Sequence, residues 1–154
     1  MITINIVCVG NLKEKFWSEA EKEYLKRLSR FCKVVVKEVE EQNKYEVVDK
    51  IISVEGEKIL SALEGKSILL DIQGKELTSE QFASKIKDIS LKSSSITFVI
   101  GGSYGVSSDV KRKIEDKVSF GKVTYPHNLA RIILLEQIYR AFMINSNSKY
   151  HKWL

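Results

Sequence analysis

Short runs rich in Val and Ile alternate with stretches of helical period along the whole chain, and this alternation limits the possible folds more than any other feature. Residues 2–9 form a near-continuous apolar strand, after which Phe16, Ala20, Tyr24 and Leu28 recur every four positions as one face of a helix. Residues 34–39 read as the next strand. Val48, Ile51, Ile52, Ile59, Leu60 and Leu63 then trace a second helix, with Gly56 a weak point inside it. A third strand over 67–72 runs into a turn at Gln73-Gly74-Lys75. Thr78 and Gln81 have capping-box spacing and start a helix that buries Phe82, Ile86 and Ile89. After a strand over 96–100, Ser107-Ser108-Asp109 supplies N-caps for a short helix holding Val110 and Ile114. A brief strand over 118–120 and a long last helix, which Asn128 is placed to cap, complete the chain. Strands this apolar, each followed by a helix, predict an α/β fold: a mostly parallel sheet with helices on both faces.

The 154 residues suffice for one domain with a real core, and the expected unit is a single domain over 1–154. With 44% hydrophobic and 29% charged residues, disorder is excluded as the general state. The N-terminus lacks a basic leader, and Thr3, Asn5 and Gly10 interrupt its apolar run, so it reads as a strand rather than a signal peptide. No run approaches membrane-spanning length, and a cytoplasmic protein without a membrane partner is expected. Cys8 lies in the first strand and Cys32 after the first helix. With no CxxC pair and only two histidines, these read as buried thiols, and no metal is expected. The net charge of +5 is compatible with a polyanionic partner. Lys22, Lys26 and Arg30 form a stripe on the first helix, but Glu19, Glu21 and Glu23 interleave with them; a solvated face is the first reading and RNA contact the second.

In the last helix Leu129, Ile132, Ile133, Leu134, Leu135, Ile138, Tyr139, Phe142 and Met143 surround the axis rather than stripe it. A surface helix leaves one face polar. Burial on more than one side predicts a homodimer with this helix at its interface, a central helix within a monomer being the less favoured reading.

Two turns suited to close approach of a ligand come late. The strand over 96–100 runs into Gly101-Gly102-Ser103-Tyr104-Gly105, and the brief strand runs toward Tyr125-Pro126-His127-Asn128-Leu129-Ala130-Arg131. Dinucleotide folds put their glycine turn after the first strand, where this chain has only Gly10-Asn11. The glycine loop also lacks the Lys and Ser/Thr of a phosphate-binding loop. Any ligand site therefore belongs to the C-terminal half. Taken singly, these residues are ambiguous: an isolated diglycine is more often a tight turn, His127 more often a cap or core hydrogen bond, and Glu136 with Arg140 a structural i,i+4 pair.

Their order is more specific. Leu70-Asp71-Ile72-Gln73-Gly74-Lys75, Val99 through Gly105, Ser119-Phe120 through Arg131, Glu136 through Ala141 and Tyr150-His151-Lys152 together resemble the small SPOUT-class methyltransferases that modify N3 of a pseudouridine in large-subunit ribosomal RNA. The resemblance covers essentially the whole chain, including Lys13-Glu14-Lys15-Phe16-Trp17. It implies a C-terminal part tied in a trefoil knot, against the general rule that chains do not thread loops. It further implies an obligate homodimer, an S-adenosylmethionine site and 23S ribosomal RNA in the assembled ribosome as substrate. Carried over, the cofactor contacts are Leu70, Gly101, Phe120, Gly121, Lys122, Val123, Thr124 and Tyr125. The polar catalytic candidates are His127, Arg131, Tyr150 and His151; Tyr150 and His151 would line the target-base pocket, and His151 or Arg131 would assist deprotonation or steady the anion. Trp153-Leu154 extends the tail beyond the family's usual end, and Gly121 stands where a serine is common. The rivals are a non-catalytic nucleotide- or RNA-binding α/β module and a SPOUT enzyme acting on a ribose or guanine.

Overall fold

The computed structural model describes residues 1–43 and 46–152, apart from the side chains of His151 and Lys152. The expected roles of His151 and of the Trp153-Leu154 tail therefore lie outside the described residues. The elements are β1 (Thr3–Val9), α1 (Lys15–Leu28), β2 (Lys33–Val39), α2 (Val48–Ser61), β3 (Lys66–Glu76), α3 (Ser79–Ser90), β4 (Ser95–Ile100), α4 (Ser108–Lys113), β5 (Lys117–Ser119), α5 (His127–Asn145) and a 3-10 turn at Lys149–Lys152.

The strands form one sheet in the order β2-β1-β4-β3-β5, and every pairing is parallel. Alternation along each strand splits the core in two. Ile4, Ile6 and Cys8 of β1, Ile68 of β3 and Ile96, Phe98 and Ile100 of β4 meet α1, α3 and α5 on one face. Val7, Val9, Leu69 and Val99 meet Ile59 of α2 and Val110 of α4 on the other. The crossovers from β1 to β2 and from β3 to β4 run in one direction over the first face. Those from β2 to β3 and from β4 to β5 return over the second. This is the arrangement that keeps all four connections of one hand, and it gathers the C-terminal ends of the strands along one edge.

Local signals account for several boundaries. Thr78 Oγ1 accepts the Gln81 N–H at 3.1 Å while Gln81 Oε1 accepts the Thr78 N–H at 2.8 Å, completing the capping box. Ser107 caps α4 by accepting the Val110 N–H at 3.3 Å.

Three local expectations are corrected. Asn128 does not cap α5: the helix already starts at His127, and Pro126, with φ fixed at −54°, stands at the cap position without a side-chain bond. The Gln73-Gly74-Lys75 segment does not end its strand. β3 continues to Glu76 through a bulge, so that Leu70 and Lys75 both face Val118 of β5. A β-carbon on Gly74 would stand 2.7 Å from the Lys117 carbonyl carbon and 2.8 Å from Val118 N, so the backbones meet there because glycine has none. Gly56 is likewise a packing position rather than a weak point: a β-carbon would collide with Ser107 Oγ, so its absence lets α2 press against the cap of α4.

α5 packs between α1 and α3, burying Ile132, Leu134, Leu135, Ile138 and Ala141 within the chain. Phe142 stacks on Phe31 with ring centroids 5.6 Å apart, and Tyr139 meets Tyr24 and Phe31. Much of the apolar circumference is thus covered inside one chain. Leu129, Ile133 and Met143 stay half-buried.

Candidate cofactor pocket at the strand ends

A cavity of about 300 Å³ opens where β4 and β5 end, beside Leu69 to Ile72 in the middle of β3. Leu69, Leu70, Ile100, Val106, Val118 and Phe120 make its apolar lining, the glycine loop closes one side, and Gly121, Val123, Thr124 and Tyr125 close another. His127 and Ala130 bring in the first turn of α5. The loops are shaped by glycine and one serine. Gly105 (φ +83°) and Gly121 (φ +111°) hold left-handed backbone, and a β-carbon at either would meet nothing within 4 Å, so both present bare backbone to open space. Gly105 N–H donates to Gly102 O at 3.1 Å and tightens the loop. Ser119 Oγ donates to Gly121 O at 2.8 Å and accepts the Gly121 N–H at 3.1 Å, pinning the turn after β5.

Beside it, at the ends of β1 and β2, a polar cavity of about 560 Å³ is lined by Asn11, Lys13, Glu38, Glu41, Gln42 and Tyr104 among others. The two adjoin at Gly10. His127 Nε2 lies 3.6 Å, and Glu41 Oε2 3.9 Å, from the point where a Gly10 β-carbon would stand. Ser103 Oγ donates to Glu41 Oε1 at 3.2 Å, joining the glycine loop to the segment after β2.

The family model described as "Predicted SPOUT methyltransferase" matches residues 2–151. The chain belongs to the SPOUT methyltransferase family. It is 48% identical over 159 aligned residues to the Ribosomal RNA large subunit methyltransferase H of Lactobacillus acidophilus, covering 98% of this chain and all of that one. The proteins of the same name from Levilactobacillus brevis and Oenococcus oeni are 46% and 45% identical, again over their full lengths. Among solved structures, a Legionella pneumophila protein described as a methyltransferase with bound cofactor SAM superposes with a TM-score of 0.52 at 12% identity. That match covers 92% of this chain and 66% of the other, and at such identity it speaks for the fold alone.

Within this SPOUT chain, seven of the eight expected cofactor residues line the cavity: Leu70, Gly101, Phe120, Gly121, Val123, Thr124 and Tyr125. Lys122 is exposed and not among the lining residues. Asp71, Ile72 and Lys111 line it without having been singled out from sequence; Asp71 lay inside a quoted motif, whereas nothing local marked Lys111.

Of the polar candidates, His127 reaches the cavity and two others do not. The Arg131 side chain is only 4% exposed, and its Nε and Nη2 donate to Glu21 at 2.6 and 3.0 Å while Nη1 donates to Glu38 at 2.8 Å. Tyr150 donates its hydroxyl proton to Glu136 Oε2 at 3.0 Å, under Arg140 and edge-on to Tyr139. Burial and the Glu136 carboxylate push that phenol up to about 12. Nine helix positions separate His127 from Glu136, about 13 Å of axis. Glu136 and Arg140 form the expected i,i+4 pair at 3.0 Å.

Cys8 and Cys32 are free and buried, and burial raises their thiols to about 11 and about 12. Among the described residues no cluster of His, Cys, Asp and Glu is placed to hold a metal, and no helix is long and apolar enough to cross a membrane.

Proposed function

We propose that this chain transfers a methyl group from S-adenosylmethionine to N3 of a pseudouridine in 23S ribosomal RNA, on the assembled ribosome, as a homodimer with a knotted C-terminal part. The observation that carries this reading is the glycine-closed apolar cavity at the strand ends, in a chain 48% identical along its length to a large-subunit ribosomal RNA methyltransferase.

The residues present fit the cofactor. The volume lies at the lower end of small-molecule pockets. An apolar lining suits an adenine ring, the bare backbone at Gly105 and Gly121 suits hydrogen bonding to it, and Asp71 sets a carboxylate against a cationic ligand. Leu70, Gly101 and the 120–125 loop would hold it. When bound, S-adenosylmethionine supplies an activated methyl group on a cationic sulfur.

What the chain adds is mainly placement. His127, at the seam of the two cavities, is a polar side chain placed to take the imide proton or steady the anion. Arg131 is committed to two carboxylates, so its part narrows to fixing the first turns of α5 and with them His127. Tyr150, in the turn after α5, is held at Glu136, nine helix positions from His127, so a role at the target base calls for the tail of a second copy. The half-buried Leu129, Ile133 and Met143 favour such a copy against α5. The crossing of residues 71–74 against β5 at Gly74 favours the knot. Lys22 and Lys26 are exposed on α1, and Arg30, expected on the same helix, is exposed in the turn that follows it; all three are available to phosphates.

The experiment is calorimetry with S-adenosylmethionine, followed by labelled methyl transfer to ribosomes lacking the modification and identification of the product nucleoside. Failure to bind the donor, or a methylated ribose or guanine as product, rejects the reading. A monomer in sedimentation at working concentration rejects the dimer.

A further inference from the structure

Glu55 on α2 is 3% exposed. Its Oε2 accepts the Gln42 N–H at 2.9 Å, and its Oε1 stands 3.5 Å from the point a Gly102 β-carbon would occupy. No ion pair among the described residues includes it, and the neighbouring charge acting on it is another carboxylate, Glu41. Burial raises its proton affinity above that of an ordinary carboxylate. Keeping a carboxylate out of water without a cation is costly. This one stands next to Gly102, which lines the cofactor cavity: a β-carbon there would meet Val9 Cγ1 at 2.9 Å and Glu55 Oε1 at 3.5 Å, so only glycine lets the loop approach the carboxylate this closely.

We propose that Glu55 sets the preference of the cavity for a cationic methyl donor over its neutral, demethylated product. The inference rests on the methyl-donor reading above. S-adenosylmethionine carries a positive sulfur and S-adenosylhomocysteine does not, while the two match in almost everything else that the apolar lining senses. A buried carboxylate with no cationic partner among the described residues is weakly screened, and its field acts on that one difference. Positive charge on sulfur fades as the methyl departs, so Glu55 stabilises the bound donor more than the transition state. Neutralising it raises KM for the donor without lowering kcat, while the inhibition constant of the product stays as it was. A purely structural residue would not produce that split.

The test is the ratio of calorimetric affinities for donor and product. In Glu55→Gln, which keeps the size and an acceptor for Gln42 N–H, the preference for the donor falls by roughly tenfold; in Glu55→Asp it is retained even if the melting temperature drops. Asp71→Asn, which removes the carboxylate lining the cavity, gives a separate loss that adds to the first. Glu55→Gln with the wild-type ratio overturns the proposal, whatever its stability. If Glu55→Gln does not fold, the wild-type ratio is measured from low to high salt: a preference that persists supports a buried charge, and one that vanishes overturns it. A wild-type protein that binds neither compound rejects the cofactor reading instead, a distinguishable result.

Discussion

Arg131 on α5 grips both carboxylate oxygens of Glu21 on α1, at 2.6 and 3.0 Å, almost entirely out of water. Glu38, at the end of β2, takes the remaining arm. One guanidinium thus ties α5 to α1 and to β2 of the sheet, one turn beyond His127. Removing one partner of such a buried group is far more damaging than the net worth of the pair, because the others stay behind uncompensated. Arg131→Ala is expected to cost about 3 kcal/mol in denaturant unfolding, and Arg131→Lys to recover only part, since an ammonium cannot copy the fork. Donor affinity of the folded fraction should remain. A fully stable Arg131→Ala protein that binds the donor yet transfers nothing would return Arg131 to the chemistry.

The same residue marks where sequence reading stops. Glu136 and Arg140 were readable as a pair because helix geometry alone brings positions four apart together. The partners of Arg131 lie 110 and 93 positions away, and no local period announces them. The α/β layering was legible because strand and helix periods are local, as was the Thr78 capping box. The bulge in β3 was not, since Gly74 is demanded by a backbone crossing it rather than by a turn. The cavity was legible in its loops, through the order of the motifs. Lys111 was missed because α4 comes to the cavity only once β4 and β5 are laid on either side of β3.

Cys8 and Cys32 give a pH dependence with a definite sign. Their thiols titrate near 11 and 12 in the fold against 9.0 for an ordinary cysteine. Below the ordinary value both states hold the protons and nothing changes. Above it the unfolded chain releases protons that the folded one keeps, so stability falls as pH rises from about 9 toward 11. Melting temperatures across that range should fall, and Cys8→Ala/Cys32→Ala, less stable at neutral pH for its lost packing, should show a flatter decline. An equally steep decline in the double variant would refute the assignment.

Gly74 and Gly105 should respond differently to the same methyl group. At Gly74 an added β-carbon meets the backbone of Lys117 and Val118 inside 3 Å, so strands must shift, and Gly74→Ala is expected to cost about 2 kcal/mol or more. At Gly105 the space is open and only the left-handed backbone resists, about 1 kcal/mol. Equilibrium unfolding of the two variants measures both. Equal losses would mean that the crossing of β3 over β5 is looser than the distances say.

Tyr150 offers the sharpest separation between binding and transfer. Its hydroxyl proton is held by Glu136, and its ring lies 4.8 Å beneath the Arg140 guanidinium, so Tyr150→Phe keeps the stacking and loses one hydrogen bond, about 1 kcal/mol. If the tail serves the cavity of a second copy, the variant should bind the donor as wild type does yet transfer methyl groups at least about tenfold more slowly. Gly101→Val is the complementary lesion, since even a β-carbon there stands 2.7 Å from Val106 Cγ1 at the cavity wall. Each variant alone then keeps at most about one tenth of wild-type activity. After unfolding and refolding together, half of the dimers are mixed, and each mixed dimer pairs an intact cavity on one chain with an intact tail on the other. About one quarter of wild-type activity should return. A mixture as inactive as its components would place Tyr150 at its own chain's site, against the distance along α5, or remove it from the reaction.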